Sequence, residues 1–188
     1  MTKRLAILGS TRGTNLQAIF DAIDQNKLDA TVEVVISNRP DAYILTRAKQ
    51  RGVAHHFVAV EQCNRQQYDQ KIQAVLQPYP IDLIVMIGYM RIVSSWFVNQ
   101  WPNKIINVHP SLLPKHAGLM DLAVHQSVLD AQETETGCTV HFVNEIVDGG
   151  SMILQKKCVV EQQDTAQSLK RKVQKLEAQA LIDSIRKI

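Results

Sequence analysis

Short apolar runs alternate with longer amphipathic stretches along the first half of the chain. The runs have the length of strands buried on both faces, whereas the stretches between them repeat apolar residues at helical spacing. The predicted strands are Leu5–Leu8, Val32–Ile36, His55–Val60, Asp82–Ile87 and Ile105–His109. The predicted helices are Asn15–Asn26, a segment from Pro40 to Arg51, and Arg65–Gln77.

The second half of the chain has a different pattern. Two longer strands, Thr136–Asn144 and Met152–Val160, flank an Asp-Gly-Gly turn, and a last amphipathic helix runs from about Asp164 to the C-terminus. Asp164 is the predicted N-cap of that helix. Strands that alternate with helices form βαβ units, so we expect an α/β fold with a mainly parallel central sheet flanked by helices. The second half adds an antiparallel extension, and residues 1–188 are predicted to form one domain.

Composition and charge narrow the class of protein. The 188 residues are 45% hydrophobic and 21% charged, with a formal net charge of +3, which is ordinary for a soluble globular protein and too mild to indicate nucleic-acid binding. Three cysteines without Cys-x-x-Cys spacing indicate neither a disulfide framework nor a zinc site. Because no apolar stretch approaches the length of a membrane span, we expect a soluble, cytoplasmic protein with no membrane partner.

A turn-forming loop, Gly9–Asn15, follows the first strand and precedes the first helix. The carboxyl ends of parallel strands are where such sheets bind ligands, and the N-terminus of a helix favours an anion. The Gly9 and Gly13 spacing matches neither a dinucleotide fingerprint nor a Walker motif. The loop therefore favours a monophosphate, with the hydroxyls of Ser10 and Thr14 as added donors, although a tight turn without a ligand also fits.

Asn107 and His109 are the main candidates for catalysis. Two residues apart in a strand, they are expected to point to the same face. An amide donor stabilises the oxyanion of acyl or formyl transfer, and an imidazole exchanges protons near pH 7. Alternatively, the two residues are structural, since polar residues that are hydrogen-bonded at the end of a strand would show the same spacing.

Asp148, in the turn before Gly149 and Gly150, is the third candidate. Such a turn usually reflects turn chemistry alone. If Asp148 lay beside His109, however, its carboxylate would raise the pKa of the imidazole. The remaining histidines are interpreted as structural or exposed, although His141 could support the site. No histidine and carboxylate set has metal-ligand spacing, so we expect no metal.

Several segments together resemble the glycinamide ribonucleotide formyltransferase family, the folate-dependent formyltransferases of purine synthesis. They occur in family order and span nearly the whole chain. The segments are Gly9–Ala18, Gly88–Val93, Asn107–Pro114, Gly137–Val143 and Val147–Gly150. One departure is His116-Ala117, which stands where relatives often carry an aromatic residue and proline.

The resemblance implies a single Rossmann-like domain and a role for each matching residue. It implies that Gly13, Thr14 and Asn15 bind the phosphate of glycinamide ribonucleotide and that Glu177 binds its ribose or glycinamide side. For the formyl donor, 10-formyltetrahydrofolate, the implied contacts are Arg65, Met90, Arg91, Ile92, Val93 and Asn107. Without the resemblance, Glu177 would be interpreted as a solvated helix residue.

The implied reaction is direct formyl transfer through a tetrahedral intermediate. Asn107 and a protonated His109 would stabilise the oxyanion, and Asp148 would hold His109 charged. Alternatives are a deformylase of the donor, a formyltransferase for methionyl-tRNA or an amino sugar, and a binding module without catalysis. The deformylase usually carries an extra N-terminal domain and the methionyl-tRNA enzyme an extra C-terminal one, and we expect neither here. We expect a monomer or a homodimer.

Overall fold

The computed structural model describes residues 2–188, which contain seven strands in the sheet order β3-β2-β1-β4-β5-β6-β7. The strands are β1 (Lys3–Gly9), β2 (Ala30–Ser37), β3 (Ala54–Phe57), β4 (Leu83–Ile87), β5 (Ile105–His109), β6 (Glu135–Phe142) and β7 (Met152–Val159). The helices are α1 (Thr14–Asp24), α2 (Tyr43–Gln50), α3 (Arg65–Leu76), α4 (Ser95–Gln100), α5 (Leu122–Asp130) and α6 (Ala166–Lys187).

The strands of the first half pair in parallel, as the alternation of strands and helices predicts. β1 lies between β2 and β4, β2 also pairs with β3, and β4 pairs with β5. The chain thus builds the sheet in both directions from β1, which makes the carboxyl end of β1 a topological switch point where such sheets bind ligands. The predicted α/β class is confirmed.

The second half contributes the predicted antiparallel extension. β6 and β7 pair antiparallel, from Glu135 opposite Val159 to His141 opposite Met152. α6 packs on both strands, and its apolar face includes the buried Leu169, Val173 and Leu181. Even α6, with 22 residues, lacks the apolar stretch that a membrane-spanning helix would need, and this holds for every helix in residues 2–188.

The chain forms two compact units, the first ending at Asn107 and the second running from Val108 to Ile188. The first has its own core around β1, where Leu5, Ala6, Ile7 and Leu8 have no exposed surface. Such a continuous apolar run is typical of a parallel strand covered on both faces.

Several details of the helices differ from the sequence prediction, and one is that α2 begins at Tyr43 rather than at Pro40. The N-cap of α6 is Thr165, not Asp164, because Thr165 and Ser168 form a reciprocal capping box, whereas Asp164 pairs with Lys172 at 2.7 Å. The short helices α4 and α5 were not predicted. With 6 residues, α4 is too short for a clear helical period to emerge from the sequence.

Candidate active site

The loop between β1 and α1 depends on a glycine at its end. Gly13 adopts the left-handed conformation, with φ of 66°, directly before α1. A Cβ at this position would lie 2.5 Å from Cγ1 of Ile44, so a side chain fits neither the backbone nor the space. No side chain caps the start of α1. The loop therefore presents the positive end of an 11-residue helix beside Thr14 and Asn15, as a phosphate site requires.

The hydroxyl of Ser10 is not available to a ligand in this loop, which corrects the sequence prediction. Its oxygen donates to Oδ1 of Asn38 at 2.5 Å and accepts from the backbone N–H of Met90 at 2.8 Å. The side chain is also almost fully buried, with 3% exposure. The predicted donor is engaged with the protein because Asn38 and Met90 follow β2 and β4, the two strands that pair with β1. The sequence alone does not show that these strands are neighbours of β1.

The residues predicted to contact the formyl donor all lie in the first unit. Arg65 is the exposed first residue of α3 and lines an open cavity of about 630 Å³ between the starts of α3 and α4. In the segment Met90–Val93, Met90 and Ile92 are 39% and 38% exposed, whereas Arg91 stacks over the ring of Tyr68 at 4.3 Å. The segment thus offers apolar side chains at the surface of the molecule.

His109 lies at the carboxyl end of β5 and is nearly buried, with 4% exposure. Its Nδ1 lies 3.2 Å from Oδ2 of Asp148, and its Nε2 lies 3.1 Å from the carbonyl oxygen of His116. The structure therefore brings His109 and Asp148 together across 39 residues of sequence. Asn107, two residues earlier on β5, is half-buried and opposite Met86 of β4.

Three groups hold the carboxylate of Asp148. Besides His109, Nε2 of His141 lies 3.6 Å from Oδ1, and the backbone N–H of Gly118 donates to Oδ2 at 2.8 Å. Asp148 itself has φ of 54°, in the left-handed region that Asp tolerates better than most residues. His141 was only a weak candidate in the sequence, because its position within β6 also suits a structural histidine.

His116 was not predicted to take part in this group. Its carbonyl contacts His109, and its ring Nδ1 lies 2.7 Å from Oγ of Ser127 on α5. Its Nε2 lies 3.9 Å from Oε1 of Glu133. The departure from the family pattern at His116-Ala117 thus falls on the loop that covers His109.

Burial decides the protonation of His109. Burial lowers the pKa of His109, and although the Asp148 carboxylate and the His116 carbonyl both act to raise it, the pKa stays below its ordinary value. This direction argues against the expectation that Asp148 holds this histidine charged. Asp148 does act in the expected direction, but it is outweighed by the loss of hydration in a site that is nearly closed.

The carboxylate of Asp148 behaves in the opposite way. Burial acts to raise its pKa, yet the contacts with His141, the Gly118 N–H and His109 together lower the pKa below its usual value. Near pH 7 the pair is thus an ionised carboxylate beside a mostly neutral imidazole. Both ring nitrogens of His109 face oxygen acceptors, so a second proton would be matched by an acceptor already in place.

Glu177 lies in the second unit, on α6, and is half-buried rather than solvated. Burial, with the charge of Glu177, raises the pKa of the Cys138 thiol on β6 to about 12. Glu177 thus lies close enough to β6 for its charge to act on a buried thiol there. Residues 2–188 contain no group of three His, Cys, Asp or Glu side chains that could hold a metal ion.

Comparison with known proteins identifies similar chains. The formyl transferase family model matches residues 3–185. The phosphoribosylglycinamide formyltransferase of Haemophilus influenzae is 42% identical over 178 residues, covering 94% of this chain and 82% of the relative. The Escherichia coli protein of the same name is 40% identical over 171 residues, covering 90% and 79%. Glycinamide ribonucleotide transformylase 1 from Symbiobacterium toebii has a solved structure that is 39% identical, with a TM-score of 0.92 over 98% of this chain and 86% of that one.

Proposed function

Because the chain belongs to the formyl transferase family, we propose that it transfers a formyl group from 10-formyltetrahydrofolate to the amine of glycinamide ribonucleotide in purine biosynthesis. The observation that carries the proposal is the contact of the buried His109 with the largely buried Asp148 at 3.2 Å. A paired imidazole and carboxylate can accept a proton and then stabilise the resulting charge, as amine acylation demands. In this proposal residues 1–188 act as one formyltransferase domain.

The two substrates are assigned to separate groups of residues. Gly13, Thr14 and Asn15 bind the phosphate, supported by the uncapped start of α1. Glu177 binds the ribose or glycinamide side. Residues that contact the formyl donor are Arg65, Met90, Arg91, Ile92, Val93 and Asn107, and the exposed apolar side chains among them suit a planar ring system.

The transfer begins when the amine nitrogen attacks the formyl carbon. A carbon–nitrogen bond forms, and the carbonyl electron pair moves onto the formyl oxygen, where the side-chain amide of Asn107 donates a hydrogen bond to the oxyanion. The attacking nitrogen becomes positively charged and must lose a proton. His109 is suited to accept that proton, because its lowered pKa leaves the imidazole mostly neutral near pH 7.

The tetrahedral intermediate then collapses. The bond between the formyl carbon and the N10 nitrogen of the folate breaks, and N10 takes a proton from the His109 imidazolium, which restores the neutral imidazole. During the interval in which His109 is charged, the Asp148 carboxylate at 3.2 Å stabilises it. Asp148 therefore lowers the free energy of the charged intermediate rather than fixing the resting state.

An absorbance assay that follows loss of the formyl group from 10-formyltetrahydrofolate tests the proposal. Loss that requires glycinamide ribonucleotide, and that falls about 10²-fold or more in His109→Ala and Asn107→Ala, is the expected result. Formyl loss without the ribonucleotide would instead identify a hydrolytic deformylase. Binding of either substrate without turnover would identify a binding module and refute the proposed transfer.

A further inference from the structure

Ser10 connects two segments of the first unit that lie far apart in the sequence, the loop between β1 and α1 and the segment after β4. It is the first hydroxyl residue after β1, in the loop that ends at Gly13. Its backbone N–H donates to the carbonyl of Gly88 at 3.1 Å, and its Oγ accepts from the backbone N–H of Met90 at 2.8 Å. The loop proposed to bind phosphate is thus hydrogen-bonded to the segment proposed to bind folate.

The hydroxyl of Ser10 is fixed in one orientation. Its proton is donated to Oδ1 of Asn38 at 2.5 Å, which leaves a lone pair directed to Met90. Ser10 is only 3% exposed, so its hydroxyl does not exchange these hydrogen bonds for bonds to water. Thr11, the next residue, packs closely against the start of the same segment, since a Cβ on Gly88 would lie 2.7 Å from the Thr11 hydroxyl oxygen.

The other end of the folate-side segment is anchored independently. The backbone N–H of Ser94 donates to Oδ2 of the buried Asp69 at 2.5 Å. Residues 88–93 are therefore fixed at their far end by α3 and at their near end by Ser10. Only the near end depends on the position of the loop before α1.

We propose that Ser10 is a positioning residue that couples the two substrate sites, an inference that rests on the proposed function of each segment. A phosphate bound at Gly13–Asn15 would restrain the loop that begins at Ser10 in the position that these hydrogen bonds define. Through the hydrogen bond to Met90 this restraint also acts on the near end of the folate-side segment, so the second substrate binds to a backbone that has less freedom left to lose. Coupling through shared ordering is reciprocal, because each ligand must favour the other by the same factor.

Calorimetric titrations on the full chain test this coupling. The dissociation constant of glycinamide ribonucleotide is measured with and without a saturating folate analogue that has no transferable formyl group, and then in the reverse order. The wild-type protein is expected to bind each ligand at least about 5-fold more tightly in the presence of the other. Ser10→Ala is expected to reduce that ratio to below about 2-fold, and Ser10→Thr, which keeps the hydroxyl, to retain it.

The ratio separates coupling from a general structural effect. A purely structural defect in Ser10→Ala would weaken both ligands and leave the ratio unchanged, which overturns the inference. So does a wild-type ratio close to one. Thr31→Ala removes an exposed hydroxyl from β2 and serves as the matched control, with the wild-type ratio expected.

A second variant keeps the test decisive if Ser10→Ala does not fold. Asn38→Ala leaves Ser10 in place but removes the acceptor that orients its hydroxyl, so the ratio is expected to fall in this variant as well. An unchanged ratio in a folded Asn38→Ala overturns the inference. A wild-type protein that binds neither ligand overturns the proposed function itself, whereas independent binding of both overturns only the coupling.

Discussion

Replacing Asp148 by Asn isolates the charge that faces His109. The variant keeps the shape of the side chain, can still accept from the Gly118 N–H, and is tolerated at φ of 54°, so the backbone need not change. With an effective dielectric of about 20, two unit charges at the observed 3.2 Å interact by about 5 kcal/mol. Because the amide oxygen of Asn still accepts a hydrogen bond, we expect about 3 to 5 kcal/mol of that stabilisation to be lost in the transition state.

This loss corresponds to a fall in kcat of about 10²- to 10⁴-fold. It is measured at saturating concentrations of both substrates with the absorbance assay for formyl loss. Asp130→Asn, which neutralises an exposed carboxylate on α5, is the control and should retain wild-type turnover. A kcat for Asp148→Asn within about threefold of the control would refute the proposed stabilisation of the His109 imidazolium.

The pH profile provides a second measure of the same interaction. Since the pKa of His109 is lowered, kcat should rise with pH through an inflection below the ordinary histidine value, as His109 becomes neutral and able to accept a proton. Asp148 acts to raise that pKa, so the inflection in Asp148→Asn should move to lower pH. A shift to higher pH would contradict this assignment.

Burial of His125, the turn at Gly13 and the contact of His141 each give a measurable expectation. Burial, with a nearby lysine charge, lowers the pKa of His125 from 6.5 to about 4. Between these two pH values the unfolded chain therefore binds a proton that the folded chain does not. The free energy of unfolding should therefore decrease by about 3 kcal/mol between pH 7 and pH 4 on this account, and urea unfolding of His125→Leu should show a weaker pH dependence. Gly13→Ala should lower Tm more than Gly52→Ala, because both have positive φ but only the former places a Cβ against another side chain. His141→Ala should raise the pKa of the adjacent carboxylate and reduce kcat about 10-fold in the formyl-transfer assay.

Each of these expectations has a clear contrary result. An unchanged pH dependence of unfolding in His125→Leu would mean that His125 is protonated in the folded protein. Equal Tm losses in the two glycine variants would mean that Ile44 moves aside without cost. A wild-type kcat in His141→Ala would leave the Gly118 N–H and His109 as sufficient partners for the carboxylate.

The parallel part of the sheet was predictable because its strands are local apolar runs. Leu5–Leu8 and the apolar run after Asp82 can be recognised by their length and by the absence of polar residues within them, and they correspond to β1 and β4. The start of α6 shows the limit of such patterns, since Asp164 and Thr165 are adjacent and both suit an N-cap. Only Thr165 has a reciprocal partner three residues later, at Ser168.

The chemistry of the candidate site was less accessible from the sequence than its residues were. The contact between His109 and Asp148 depends on the path of the chain between β5 and the turn after β6, which no local pattern encodes. The direction of the His109 pKa depends on the loop at His116 and on overall burial. Sequence therefore identifies candidates by residue type, while their protonation is set by tertiary structure.

The left-handed backbone at Asp148 restricts which substitutions evolution can explore at this position. Asn and Gly suit a φ of 54° but carry no charge, while Glu carries the charge but is a poor fit to that conformation. Aspartate alone meets both demands, so the position has no conservative replacement. In distant relatives, a lone aspartate with positive φ directly before a glycine is thus a structural marker that can be searched for even where the surrounding sequence has diverged.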